Sequence, residues 1–94
     1  MTYIEATIQV YYYYTIKDIA DGIGIQEIQS YLKMYEEGEM YEVCLGIKKG
    51  LDFASASTMS GIDLEVVELE DTIIELEETI EETKQTLSYD IQEN

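Results

Sequence analysis

The chain has 94 residues, enough for one domain, which we place at 1–94, with one modest hydrophobic core. A hydrophobic content of 46% excludes disorder throughout. The 21 Asp and Glu residues face five Lys and no His, for a formal net charge of −16. This charge excludes nucleic acid as a direct partner and disfavours anionic membranes, since both bind cationic proteins. It favours a basic protein surface as partner, although acidity can also simply maintain solubility.

The compartment is predicted from the cysteine content and from two missing patterns. Cys44 is the only cysteine, so it cannot form an internal disulfide. The sequence shows no apolar run of about 20 residues and no signal-peptide pattern. We therefore expect a cytoplasmic protein.

The first segment, 2–14, alternates between apolar and polar positions. Ile4, Ala6, Ile8, Val10 and Tyr12 would share one face, and the intervening residues would share the other. A period of two in a segment rich in β-branched and aromatic residues predicts a long strand. Tyr11 and Tyr13 would then lie on its outer face.

Segment 15–38 has helical spacing, and Gly22–Gly24 divides it into two predicted short helices, with Gly38 ending the second. Its beginning resembles a helix-turn-helix through Thr15, Asp18, Ile19, Ala20, Gly24 and Ile25. The resemblance covers about eleven residues and implies a DNA-binding regulator. However, the recognition positions Gln26, Glu27 and Gln29 carry no cation, so a degenerate regulator is only a third hypothesis.

Segment 41–54 alternates again and is predicted to be a hairpin turning at Lys48-Lys49-Gly50, although helix and strand are both compatible with such short apolar runs. Segment 61–88 is predicted to be a long helix. Its apolar residues recur with 4-3 spacing, and they are Ile62, Val66, Leu69, Ile73, Leu76, Ile80 and Leu87. The expected fold class is thus α+β, an antiparallel sheet with a short helical pair and a long C-terminal amphipathic helix.

Catalysis is not expected, because the chain has no His for acid–base chemistry and Cys44 has no neighbouring base in the sequence. We expect neither a cofactor nor a metal site, since the acidic stretch 18–27 does not fit a calcium loop.

The long helix carries the main functional pattern. Ten carboxylates on a helix about 39 Å long give one for roughly every 4 Å, close to the phosphate spacing of one DNA strand. Residues 62–94 carry twelve acids and one Lys, whereas an ordinary solvated helix interleaves more Lys among its acids. The candidate partner-binding residues are these ten acids and two tyrosines: Asp63, Glu65, Glu68, Glu70, Asp71, Glu75, Glu77, Glu78, Glu81, Glu82, Tyr11 and Tyr13.

The apolar seam of this helix allows two arrangements. It could form a coiled coil with a second copy, giving a homodimer, or pack on its own sheet, giving a monomer. Like charges at Glu65, Glu70 and Glu77 beside the seam favour the second arrangement. Val67 and Ile74 also widen the stripe, so we expect Ile74 to be covered.

In overall character, an acidic helix without counter-charges and with surface tyrosines resembles small phage-encoded anti-defence proteins, the anti-CRISPR and anti-restriction DNA mimics. The resemblance implies a stoichiometric, non-enzymatic inhibitor in the cytoplasm of a host bacterium. Its partner would be the basic nucleic-acid-binding surface of a nuclease or effector complex. The alternative is a coiled-coil oligomerisation or regulatory module.

Overall fold

The computed structural model describes the backbone of residues 2–93 and the side chains of residues 2–84. This part of the chain has no strand and contains four helices: α1 (Tyr3–Ala20), α2 (Ile25–Glu37), α3 (Tyr41–Ser55) and α4 (Met59–Glu93). The prediction of an α+β fold with an antiparallel sheet is therefore wrong, and the fold is all-α. No described helix is long and apolar enough to cross a membrane.

Helix α1 replaces the predicted strand 2–14 and absorbs the first predicted short helix. Thr2 caps it, since its Oγ1 accepts a hydrogen bond of 3.1 Å from the backbone N–H of Glu5. Thr and Glu at this spacing form the beginning of a capping box, a sequence signal for a helix start. The predicted two-residue alternation fails at its ends: Ile4 is 52% exposed, whereas Tyr13, expected on the outer face, is only 6% exposed.

Helix α1 lies between α3 and α4. Val10 and Tyr13 pack against Ile73 of α4, while Ile8 and Thr15 lie next to the backbone of α3. α3 and α4 therefore cover different sides of α1, and Tyr12 and Ile16 contact residues of both helices. The molecule is accordingly flat, with extents of 50 × 30 × 19 Å. Burial on two sides outweighs the strand propensity of this β-branched, Tyr-rich segment.

Helix α3 replaces the predicted hairpin 41–54, and the predicted turn at Lys48-Lys49-Gly50 lies inside it. Its buried Val43 and Ile47 are four residues apart and pack against Ile28 of α2. Gly46 and Gly50 are buried against α1 and allow the two backbones to approach closely. These glycines therefore have a packing role, and no turn occurs at Gly50.

The connection between α1 and α2 agrees with the prediction in part. Gly22 has φ +94°, a left-handed conformation that favours glycine. Helix α2 follows, and Gly38 is its C-cap, as predicted. It packs mainly on α3.

The predicted long helix is observed as α4, although it begins at Met59 and not at residue 61. Thr58 caps this start by accepting a hydrogen bond of 3.1 Å from the N–H of Gly61. The apolar seam packs on α1: Ile62 contacts Tyr12 and Ile16, and Ile73 contacts Val10. The two helices are therefore antiparallel. The side chain of Leu87 lies outside the described residues.

Candidate partner-binding surface

One exposed flank of α4 alternates acidic and apolar side chains. Its residues follow the buried seam at the same 4-3 spacing and are here called the acidic row: Asp63, Val67, Glu70, Ile74, Glu77 and Glu81. The two apolar members are strongly exposed, Val67 to 67% and Ile74 to 51%. The expectation that Ile74 is covered by intramolecular packing is wrong, because the contact with α1 is a narrow seam. An exposed row of this composition offers a partner both charge and apolar area.

The remaining acids of α4 lie elsewhere around its circumference. Helical spacing places Glu68, Glu75 and Glu82 on the opposite flank, with Asp71 and Glu78 between that flank and the acidic row. Glu65 differs from the other nine, because it is half-buried and accepts a hydrogen bond of 3.0 Å from the Tyr12 hydroxyl. We therefore assign Glu65 a structural contact and keep the other nine acids as exposed candidates.

From Asp63 to Glu82, no carboxylate of α4 forms an ion pair, although Lys17 lies near enough to Glu70 for the two charges to interact. Among the described side chains, the one ion pair joins Lys17 to Asp21, at 3.1 Å. Lys49 lies 4.8 Å from the ring centroid of Tyr12 and donates a hydrogen bond to Gln9, so it sits beside the Glu65 flank and away from the acidic row. From Asp63 to Glu82, ten carboxylates occupy about 29 Å of helix axis. This part of α4 is therefore a helix with a high density of negative charge.

The tyrosines that reach the surface differ from those predicted. Tyr13 is buried beside Ile73, so it cannot offer its ring to a partner. Tyr11 is half-buried, and its ring makes edge contacts with Tyr14 at 5.3 Å and with Tyr35 at 6.0 Å. The exposed rings of α1 are Tyr14 (38%) and Tyr3 (41%), which the predicted strand did not single out. The two tyrosines are eleven residues, or three helical turns, apart. A helix prediction for this segment would therefore have placed both rings on one face.

These tyrosines border an open groove of about 560 Å³ between α1, the beginning of α3 and the second half of α4. We call it the tyrosine groove and define it by six of its lining residues: Tyr3, Tyr14, Met40, Ile74, Glu77 and Glu81. Its apolar lining is continuous with the acidic row, and two of that row's carboxylates form its edge. The part of the acidic row near Glu77 and the exposed tyrosines therefore form one surface.

Burial and nearby carboxylates raise the pKa values of the phenols on this face and so extend the pH range in which they are neutral. Burial, followed by the nearby Glu77 carboxylate, raises the pKa of Tyr14. Burial and Glu70 act in the same direction on the pKa of Tyr13. For Tyr12, burial and the hydrogen bond to Glu65 raise the pKa to about 12. At neutral pH these rings are therefore uncharged, and an exposed ring such as Tyr14 can receive a cation on its face.

The other reactive groups do not form a chemical site in the described residues. Cys44 is buried in α3, and burial raises the pKa of its thiol, so the reactive thiolate is disfavoured. No three His, Cys, Asp or Glu side chains within residues 2–84 are grouped so as to hold a metal ion. The surface formed by α4 and the tyrosine groove remains the candidate functional site.

The fold and this surface together describe a flat, all-α, acidic protein with one exposed carboxylate-rich helix. Comparisons of the chain with known protein families, curated proteins and solved structures gave no match. A functional assignment must therefore come from the chemistry of the surface itself.

Proposed function

We propose that this protein is a stoichiometric inhibitor that occupies the basic nucleic-acid-binding surface of a partner, such as a host nuclease or effector complex. The observation that carries this proposal is the concentration of ten carboxylates from Asp63 to Glu82 on one helix. Their average spacing along the axis, about 3 Å, is close to the 3.4 Å between phosphates of one DNA strand. Because these acids point in several directions around α4, a channel that surrounds the exposed sides of the helix would meet a similar density of charge.

The packing of α4 supports such a role because the charges are held in place before binding. Ile62 and Ile73 are almost fully buried against α1, which fixes the orientation of the helix faces that carry the carboxylates. An acidic surface speeds encounter with a basic partner, and a backbone that is already helical needs no ordering on binding. The overall resemblance to phage anti-defence DNA mimics points to the same class of partner.

The two alternative functions receive less support. A coiled coil through the seam of α4 would have to displace α1 from Ile62 and Ile73. A helix-turn-helix regulator would need cations near the start of α2, where the exposed residues are Gln26, Glu27 and Gln29. Neither hypothesis uses the exposed carboxylates of α4.

The proposal can be tested by affinity capture from a bacterial lysate with the full-length protein immobilised. We expect retention of a nucleic-acid-binding protein that duplex DNA elutes competitively. Capture should weaken steeply between low salt and about 0.5 M NaCl, since screening shortens the range of the charges. Replacing Glu70, Glu77 and Glu81 with Gln should abolish capture while leaving the circular dichroism spectrum unchanged.

The matched control removes an equal number of negative charges outside α4, through Glu36→Gln, Glu37→Gln and Asp52→Asn. These side chains are exposed on α2 and α3, so the control should retain the partner. Equal loss in both triple variants would show that total charge alone drives capture. Unchanged capture by the α4 variant would refute charge mimicry by this helix.

A further inference from the structure

The tyrosine groove has properties that charge mimicry alone does not require. Nucleic-acid mimicry needs carboxylates, yet this groove exposes Met40 to 44%, Ile74 to 51% and the Tyr14 ring to 38%. Exposed apolar side chains grouped in a concave surface are typical of protein-binding sites. The groove therefore indicates that the partner offers apolar side chains in addition to its phosphate-binding cations.

The length of the groove matches that of a short helix. Its wall on α1 runs from Tyr3 to Tyr14, and its wall on α4 runs from Ile74 to Lys84. At 1.5 Å per residue these walls are about 16 Å and 15 Å long, equal to about three helical turns. The substantial exposure of Tyr14 and Ile74 shows that the groove is open to solvent. An open groove suits a polypeptide segment better than a small molecule, which usually binds in an enclosed pocket.

The charge along the groove selects among such segments. Glu77, Glu78 and Glu81 line its α4 side, with Lys84 at the far end as the single cation of that wall. The Glu77 carboxylate lies close enough to Tyr14 to raise the pKa of that phenol. A guanidinium or ammonium group there would meet a carboxylate and a neutral ring together, which combines an ion pair with a cation–π contact.

From this complementarity we infer that the tyrosine groove binds a cationic amphipathic helix of the partner. The apolar side chains of that helix pack between Tyr14, Met40 and Ile74, and its Lys or Arg side chains pair with Glu77 and Glu81. The inference rests on the proposed function, because it names the part of the basic partner that this end of α4 receives. Helix-in-groove binding of this kind depends on anchors spaced three or four residues apart.

The test uses the full-length protein and a fluorescein-labelled peptide of about 14 residues, or four turns, with Leu on one helical face and Lys on the other. A scrambled peptide of the same composition is the matched probe without a helical face. Fluorescence anisotropy should show binding of the amphipathic peptide at least about tenfold tighter than the scrambled one, equivalent to 1.4 kcal/mol. Addition of this peptide should shift the NMR signals of Tyr14 and Met40.

Two pairs of variants locate the site. Ile74→Ser should weaken amphipathic peptide binding about tenfold, whereas Val67→Ser, one heptad earlier in the acidic row and outside the groove, should change it less than about threefold. The double variant Glu77→Gln/Glu81→Gln should likewise weaken binding more than Glu75→Gln/Glu82→Gln, which removes the same charge from the opposite flank. All four substituted acids are exposed, so folding should be preserved.

Three results would overturn the inference. The first is equal binding of the scrambled and amphipathic peptides, and the second is an equal effect of the two variants within either pair. The third is a mass that rises with protein concentration in sedimentation and no longer does so in Ile74→Ser. That result would show that a second copy of the chain occupies the groove. Lysate capture separates this failure from failure of the proposed function. Capture lost in the α4 triple Gln variant but retained in Ile74→Ser would support DNA mimicry without a helix-binding groove. If the amphipathic peptide binds more tightly than the scrambled one but the α4 triple Gln variant still captures its partner, the groove binds a helix and charge mimicry is refuted.

Discussion

At the scale of single residues, the contact between α1 and α3 depends on glycine. A Cβ built on Gly46 would lie 2.6 Å from the carbonyl oxygen of Ile8, and one on Gly50 would lie 2.7 Å from the Thr15 Cβ. These distances are shorter than normal van der Waals contacts, so any side chain would push the helices apart. The close approach also explains how a glycine-containing helix is stable, because packing compensates for the low helix propensity of glycine.

Gly46→Ala should therefore destabilise the protein by about 1–3 kcal/mol, the usual range for overpacking, despite the better helix propensity of Ala. Gly61→Ala is the matched control, since its Cβ would meet nothing closer than the Thr58 Oγ1 at 3.4 Å. The control should be neutral or stabilising by up to about 1 kcal/mol. Urea unfolding measures both changes, and equal effects would contradict the close helix contact.

The buried tyrosines predict how stability changes with pH. The Tyr12 phenol has an unfolded pKa of 10.0 and a folded pKa of about 12, so between these values the unfolded chain releases a proton that the folded chain keeps. Its contribution to stability is thus complete below pH 10 and is lost as the pH rises towards 12. The pKa values of Tyr11, Tyr13 and Tyr14 are raised as well and act in the same direction.

Tyr12→Phe should make the alkaline loss of stability shallower, because the substituted side chain no longer ionises. The variant should also be less stable at neutral pH by about 1 kcal/mol, the usual net contribution of a hydrogen bond, since it loses the contact with Glu65. Chemical unfolding at a series of pH values measures both effects. A variant with an unchanged alkaline slope would show that Tyr12 ionises normally in the folded state.

At the scale of the helices, neighbouring positions of α4 have different roles, one in the core and one on the exposed surface. Ile73 is 1% exposed in the seam with α1, whereas Ile74 is 51% exposed in the acidic row. Adjacent helical residues point about 100° apart, so one can belong to the core and the next to a binding surface. The 4-3 seam is thus compatible with intramolecular packing, without a coiled coil.

Ile73→Ala should cost about 2–5 kcal/mol, the range for truncating buried aliphatic side chains. Ile74→Ala should change stability by no more than about 0.5 kcal/mol, as expected for an exposed position. Thermal unfolding at several protein concentrations measures both variants and should show no concentration dependence. A midpoint that rises with concentration would instead favour a dimer through mass action.

At the scale of the whole molecule, the net charge of −16 opposes the compact state. Among the described side chains a single ion pair, Lys17–Asp21, offsets this repulsion, and both of its side chains are largely exposed. The carboxylates of α4 from Asp63 to Glu82 average one for about every 3 Å of helix axis. Self-repulsion of this kind decreases when salt screens the charges.

The thermal midpoint should therefore rise between low salt and about 1 M NaCl, where the Debye length falls to about 3 Å. Glu75→Lys should raise the midpoint at low salt and reduce its salt dependence, because the introduced ammonium group would lie one turn from Asp71 and Glu78. Glu75 is outside the acidic row and does not line the tyrosine groove, so this variant should keep the groove intact. A midpoint that falls with salt would indicate that attractive charge pairs dominate stability.

The candidate site could be predicted in part. The carboxylates of α4 follow directly from the sequence, because a helix with a clear seam leaves its other positions exposed. Tyr3, Tyr14 and Met40 could not be assigned to the groove, because that requires knowing that α1 is a helix and that α3 begins beside it. Tyr13 was placed on the surface by the strand period, and the helical period buries it.

The sequence by itself determined the charge distribution, the long C-terminal helix and the glycine turn before α2. Each depends on local information: residue counts, nearly four heptads of regular spacing, and Gly22 with Gly24. Tertiary structure alone decided the conformation of 2–14 and 41–54, since their apolar residues satisfy a period of two and a helical period alike. Two-sided burial of α1 and its contact with Gly46 and Gly50 select the helical period. A preference of a few tenths of a kcal/mol per residue for strand is smaller than the packing energy of a buried helix.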